Sequence, residues 1–258
     1  MNNLQKQPHE IIDANINVSK RLIILNVVAT LVYITWWFNF DNAGVLWLYI
    51  PLFLGEIYHV FQALGYAVTI WSQNQRKMPH MTEFPAVDIF ITVCGEPTDI
   101  VKQTVQAALD MEYPDFKVYV LNDGKGRKVP NWPEINKEVE KMGAIAITRD
   151  HNIGAKAGNI NNALRITKAP FITVFDADHI PYKNFLLETV PYFMDEKMAL
   201  VQTPQYYKNK DYTYLTTAAW EQQELFFGPI CRGKNNMNAT FWCGTNAVVR
   251  RQALEEIG

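Results

Sequence analysis

Disulfide frameworks, strong net charge, internal repeats and low-complexity tracts are all missing from this 258-residue chain. Its three cysteines, Cys94, Cys231 and Cys243, show no close metal-type spacing and no disulfide framework; they read as reduced thiols facing the cytosol. A formal net charge of −2 supplies no basic field, so nothing in the composition points to a nucleic-acid partner. Two phosphate-binding signatures are absent as well. No Walker-type Gly-Lys-Ser/Thr order occurs, and no Gly-x-Gly-x-x-Gly follows the first expected strand. What the chain does have is an uneven distribution of its 48% hydrophobic residues.

Residues 1–19 are polar, with Asp13 and Ser19 as candidate helix caps. Lys20-Arg21 then opens an uncharged apolar stretch, residues 22–40, broken only by Asn26, Thr30, Thr35 and Asn39. About 20 apolar residues cross a bilayer as a helix. No small-residue cleavage site follows, which argues against a signal peptide. Trp36 and Trp37 stand where an interfacial aromatic belt belongs. After a turn at Asp41-Asn42-Ala43-Gly44, a second apolar segment runs over 45–71 and holds Pro51, Gly55, Glu56, His59, Gln62 and Gly65. Glu56 and His59 are expected on one helix face, turned toward protein or water. The pattern reads as a two-helix transmembrane hairpin, with a buried core helix as the alternative. Lys20-Arg21 before it and Arg76-Lys77 after it put both ends in the cytoplasm. Residues 1–80 are thus expected to form a membrane region, with spans at about 22–40 and 45–71, and residues 81–258 a cytoplasmic domain.

Beyond a linker at residues 80–86 the pattern changes. Strands are expected at 87–93, 117–121, 144–148, 171–175 and 199–203. Helices are expected at 100–109, 133–142, 155–167 and 182–194. This alternation implies an α/β domain with a mostly parallel sheet and flanking helices. Cys231 to Asn236 reads as a polar loop, and Arg250-Arg251 as surface charge.

In such a sheet, strand C-termini face the ligand crevice. Three expected strands end in acidic tips: Glu96, Asp123, and Asp176 with Asp178. Two close carboxylates repel unless a cation neutralises them, and hard oxygen donors suit Mg²⁺ or Mn²⁺. A solvated acidic turn would give the same Asp-x-Asp. Ile153-Gly154-Ala155-Lys156-Ala157-Gly158-Asn159 adds a helix start whose N–H groups and lysine favour phosphate. An ordinary exposed helix lysine is the alternative for Lys156. Cys243 reads as a small packing residue, since nothing nearby forms a Cys-His pair.

Taken in order, Glu96-Pro97, Asn122-Asp123-Gly124, Gly154-Ala155-Lys156-Ala157-Gly158-Asn159, Asp176-Ala177-Asp178-His179, Gln202-Thr203-Pro204-Gln205 and Phe241-Trp242-Cys243-Gly244-Thr245-Asn246 resemble the processive family 2 glycosyltransferases, above all bacterial cellulose synthase catalytic subunits. The resemblance spans about residues 85–251. It implies a GT-A fold preceded by the membrane hairpin, and a multi-pass inner-membrane enzyme that transfers glucose from UDP-glucose to a growing β-glucan. It casts Asp123, Asp176 and Asp178 as catalytic residues. Cys94, Glu96, Asp123, Lys156 and Asp176 would bind the UDP-sugar, and Asp176 and Asp178 the Mg²⁺ or Mn²⁺. Gln202, Thr203, Pro204, Trp242, Cys243 and Gly244 would line the polysaccharide acceptor, with core packing as the alternative for Phe241 and Trp242. Tyr212 to Gly228 would border the membrane, with domain packing as the alternative. Membrane lipid and accessory synthase subunits are the further partners implied.

Hyaluronan, chitin or a β-1,3-glucan remain alternative products, and a non-catalytic nucleotide-sugar-binding fragment is the alternative of a different class. The family pattern also includes a Thr-Glu-Asp type segment supplying the general base and a Gln-x-x-Arg-Trp segment binding the acceptor; neither occurs in this sequence. The expectation is an N-terminal portion of a synthase, C-terminally incomplete and inactive in polymerisation by itself.

Overall fold

A computed structural model describes residues 18–73 and 77–257. The polar segment 1–17 with Asp13, and the flanking Arg76, lie outside the described residues. The described residues form two compact units, one within residues 1–76 and 205–240 and the other within residues 77–204 and 241–258.

The first unit holds α1 (Lys20–Trp37) and α2 (Leu46–Trp71), joined by a short 3₁₀ turn at Phe40–Asn42. Ser19 stands at the N-cap of α1 without a side-chain capping bond. Among the described residues, α1 is the one helix long and apolar enough to cross a membrane. Helix α2 is longer, but polar groups interrupt it; Glu56 Oε2 and His59 Nδ1 lie 3.9 Å apart on one face. Trp37 and Phe53 stack at 6.4 Å, and the Tyr49 hydroxyl donates to the Trp37 carbonyl, pinning the two helices together.

Residues 205–240 pack in this same unit as α3 (Tyr214–Leu225), a π-helical turn at Phe226–Ile230 and α4 (Cys231–Asn236). The π turn contains Pro229, which cannot donate to the ordinary α ladder. The expected loop at Cys231 is a helix, and its Gly233 lets it pack closely on α2. A Cβ there would fall 1.9 Å from the Thr69 carbonyl oxygen, so only glycine allows this approach to α2.

The second unit is built on one six-stranded sheet. In chain order its elements are β1 (Val87–Val93), α5 (Thr98–Leu109), β2 (Phe116–Asn122), α6 (Trp132–Lys141), β3 (Ile145–Thr148), α7 (Ala155–Leu164), β4 (Phe171–Asp176), α8 (Phe185–Thr189), β5 (Leu200–Gln202), β6 (Ala247–Arg250) and α9 (Arg251–Ile257). The spatial order is β3-β2-β1-β4-β6-β5. Strands β1 to β4 pair in parallel, and β6 runs antiparallel to both β4 and β5. Strand order reverses between β1 and β4, which is where ligands enter open α/β sheets.

Helices cover both faces. On one side Ile89, Ile91, Val101, Val105, Ile135 and Val139 are fully buried; on the other Phe90, Leu121, Ile172 and Val174 meet Ile160 and Ala163 of α7. Burying each such side chain contributes about 1.5–3 kcal/mol. The near-continuous apolar runs of β1 and β4 reflect burial on both faces.

The expected helix at 182–194 is shorter, because Pro191 forces the stretch Val190–Met194 into a 3₁₀ turn. The expected helix at 155–167 ends at Leu164. Strand β6 was not anticipated. Nor is Arg251 surface charge: it is buried, donates to Asp88 Oδ2 at 2.9 Å and to the carbonyls of Leu164 and Ala169, and so ties α9 beneath the sheet. Arg250 donates to the carbonyls of Phe193, Asp195 and Met198.

Candidate functional site

At the switch point the C-terminal ends of β1 and β4 stand side by side, with Thr92 in register with Asp176. The Thr92 hydroxyl donates to Asp176 Oδ1 at 3.2 Å, and the Lys156 ammonium pairs with the same oxygen. Both members of that pair are more than a third exposed, so they lie at the mouth of the crevice rather than under it. Asp178 is more open still, at 71% side-chain exposure, with its Oδ1 3.9 Å from His179 Nε2.

The β1 turn closes on itself. Glu96 Oε2 accepts the Cys94 backbone N–H at 2.6 Å, and Asn131 donates to the Glu96 carbonyl. The Cys94 thiol is pushed above its ordinary value, first by burial and then by the negative charge of Asp123. The Cys243 thiol is pushed up by burial alone. Neither is poised as a thiolate.

Asp123 directly follows β2, its N–H bonded to the Val93 carbonyl at 2.8 Å. Beside it Asn122 builds the turn: its Oδ1 accepts the Gly124 N–H at 2.9 Å while its Nδ2 donates to the Trp132 carbonyl and to Asn136. The Asp123 carboxylate is buried and gripped bidentately by Arg149, at 2.5 and 2.6 Å. Arg149 therefore belongs to the site, although sequence reasoning passed over it. A single arginine in a polar loop carries no spacing signal; only the parallel pairing of β2 and β3 brings it under Asp123.

On the other flank Gln202 and Cys243 meet directly, the Cys243 N–H donating to Gln202 Oε1 at 2.9 Å. Gln202 Nε2 reaches the carbonyls of Thr203, Thr245 and Asn246, and Thr203 bonds through N–H and hydroxyl to the Asn246 carbonyl. Pro204 follows at the half-buried rim, and Gly244 turns the chain at a φ of +83°. Trp242 is half-buried and packs against the second core layer, its indole Nε1 buried without a hydrogen-bond partner.

Thr245 joins the two flanks. Its hydroxyl accepts the Asp176 N–H at 3.1 Å and lies 2.9 Å from His179 Nδ1, while its carbonyl accepts from Gln202. The expected donor residues and acceptor residues thus share one buried threonine.

An open α/β sheet with paired carboxylates and a lysine at its switch point is the layout of a GT-A glycosyltransferase domain. Its backbone matches that of a mannosyltransferase from Pyrobaculum calidifontis, solved with GDP-Man and Mn²⁺, at a TM-score of 0.54 and 18% identity, covering 76% of this chain and 53% of that one. The family model for glycosyl transferase family 2 matches residues 88–258, and the chain belongs to that family. It is 36% identical over 252 residues to the cellulose synthase catalytic subunit of Pseudomonas fluorescens (strain SBW25), covering 92% of this chain and 33% of that protein. Cellulose synthase 1 catalytic subunit of Komagataeibacter xylinus is 35% identical over 252 residues, with the same coverage of 92% and 33%. The chain spans about a third of the length of these curated relatives.

Proposed function

We propose that this chain carries the donor-binding part of a UDP-glucose-dependent β-glucan synthase. The observation that carries the reading is the Lys156–Asp176 pair at the β1/β4 switch point, in a chain 36% identical to a UDP-forming cellulose synthase subunit. In this reading Asp123 and the Cys94–Glu96 turn receive the uridine, and Lys156 approaches the diphosphate as a point charge. Asp176 and Asp178 face the sugar-diphosphate.

A divalent cation fits this donor set. Two carboxylates exposed at the mouth offer hard oxygens; no group of three or more His, Cys, Asp or Glu among the described residues could hold a metal ion, so the remaining ligands of a cation here would come from substrate. Mg²⁺ or Mn²⁺ would be shared between Asp176, Asp178 and substrate phosphates, as such ions commonly are. When bound, it supplies charge neutralisation for the departing nucleotide diphosphate. Thr92 and Lys156 hold the Asp176 carboxylate, and Thr245 its backbone N–H, before substrate arrives, which is electrostatic preorganisation. Gln202, Thr203, Pro204, Cys243 and Gly244, with Trp242 behind them, form the acceptor wall that receives the sugar. In this reading residues 1–80 form the membrane region, with α1 as a span and α2 as its partner in the hairpin although polar residues interrupt its apolar run, and the sheet unit faces the cytoplasm of a cell whose inner membrane holds the enzyme.

Donor identity is tested by competition against UDP on the detergent-purified chain. UDP-glucose is expected to displace UDP at least tenfold more effectively than GDP-mannose. Equal displacement by the two would refute the uridine assignment.

A further inference from the structure

We propose that Arg149 is the positioning residue that locks the nucleoside end of the site to its phosphate end; the inference rests on the nucleotide-sugar reading above. Its guanidinium is buried, so it acts through other groups and not as a ligand contact. One edge of the fork holds both oxygens of Asp123, at 2.5 and 2.6 Å. The remaining donors reach across to the next loop: Nη1 to the Ile153 carbonyl and Nη2 to the Ala155 carbonyl, each at 2.7 Å.

Those two carbonyls bracket an unusual piece of backbone. Gly154 has a φ of +75° and Ala155 a φ of +47°, so two consecutive left-handed residues open α7 just before Lys156. A non-glycine residue there is strained and persists only where its surroundings over-determine it. Arg149 supplies that constraint. The second glycine of the motif makes room for it: a Cβ on Gly158 would fall 2.1 Å from the Ile153 carbonyl oxygen and 2.8 Å from Arg149 Nη1. Lysine cannot replace this fork, since only a planar guanidinium directs several N–H groups in fixed directions at once. Orientation of Asp123 and placement of Lys156 are therefore set by one side chain, and uridine and diphosphate recognition are coupled through it.

The test uses the full chain, with UDP titrated by calorimetry and with uridine and inorganic pyrophosphate as separate competitors. Arg149→Lys is expected to weaken UDP at least tenfold and to weaken both competitors. Gly158→Ala, which keeps every charge, is expected to act in the same direction and serves if Arg149→Lys does not fold. The control is Arg251→Lys, which disrupts another buried ion pair, that with Asp88 near the opposite end of β1. It is expected to lower the melting temperature with UDP affinity unchanged. If wild type binds UDP and both site variants bind it alike, or lose only one competitor, the inference is overturned while the nucleotide-sugar reading stands. If Arg251→Lys loses UDP equally, Arg149 has no special positioning role. If wild type itself does not bind UDP, the nucleotide-sugar reading falls and this inference falls with it.

Discussion

Tyr113 shows how one buried side chain sets a pH limit on the sheet unit. Its hydroxyl donates to the Pro85 carbonyl at 2.8 Å and anchors the linker that enters β1. Burial, and then the Asp115 charge, push the phenol up to about 12 from its ordinary value of 10.0. Because the folded-state value is the higher one, its stabilising contribution is complete below pH 10 and is lost as pH rises through 12. Two units correspond to about 2–3 kcal/mol. Other tyrosines titrate in the same range, so the informative quantity is the difference between wild type and Tyr113→Phe. In denaturant melts between pH 9 and 12, the stability advantage of wild type is expected to shrink by about 2 kcal/mol. A constant difference would contradict the burial argument.

Among the elements, α7 is the one whose motif does the most for the site. Gly154 begins it, Lys156 faces Asp176, Gly158 admits Arg149, and Asn159 donates to the Leu121 carbonyl at 2.9 Å, fixing the helix to β2 from a buried position. Asn159→Ala is expected to destabilise the sheet unit by about 0.5–1.5 kcal/mol, because it removes a buried hydrogen bond between α7 and β2. A urea midpoint unchanged from wild type would show that the bond carries no net stability. The acidic tips and this motif were legible in the sequence because strand ends and helix starts leave local marks. Strand β6 was not: Ala247–Arg250 is short and pairs antiparallel with β4, which no local pattern announces. The same holds for Arg149 and Arg251, and for the bonds that Thr245, part of the motif for the acceptor side, makes to Asp176 and His179. Each acts through residues far along the chain or across a strand pair, so its role exists only once the sheet has formed. Composition favoured an exposed Arg251, and the buried Asp88 carboxylate overrides it.

At the scale of the molecule, the helical unit and the sheet unit each have their own packing, and segment 205–240 belongs to the helices although sequence places it between β5 and β6. The chain therefore leaves the sheet after the Gln202-Thr203-Pro204 wall and returns to it at Trp242, Cys243 and Gly244, so both halves of the proposed acceptor wall flank one excursion. The central proposal is that the β1/β4 edge binds a nucleotide diphosphate with a divalent cation. The most direct check is calorimetric titration of the detergent-purified chain with UDP, with and without Mg²⁺, beside the Asp176→Asn/Asp178→Asn double variant. The expected result is binding by wild type that strengthens at least tenfold with Mg²⁺, and a double variant with no such Mg²⁺ dependence. Metal-independent binding of equal strength in both proteins would contradict it.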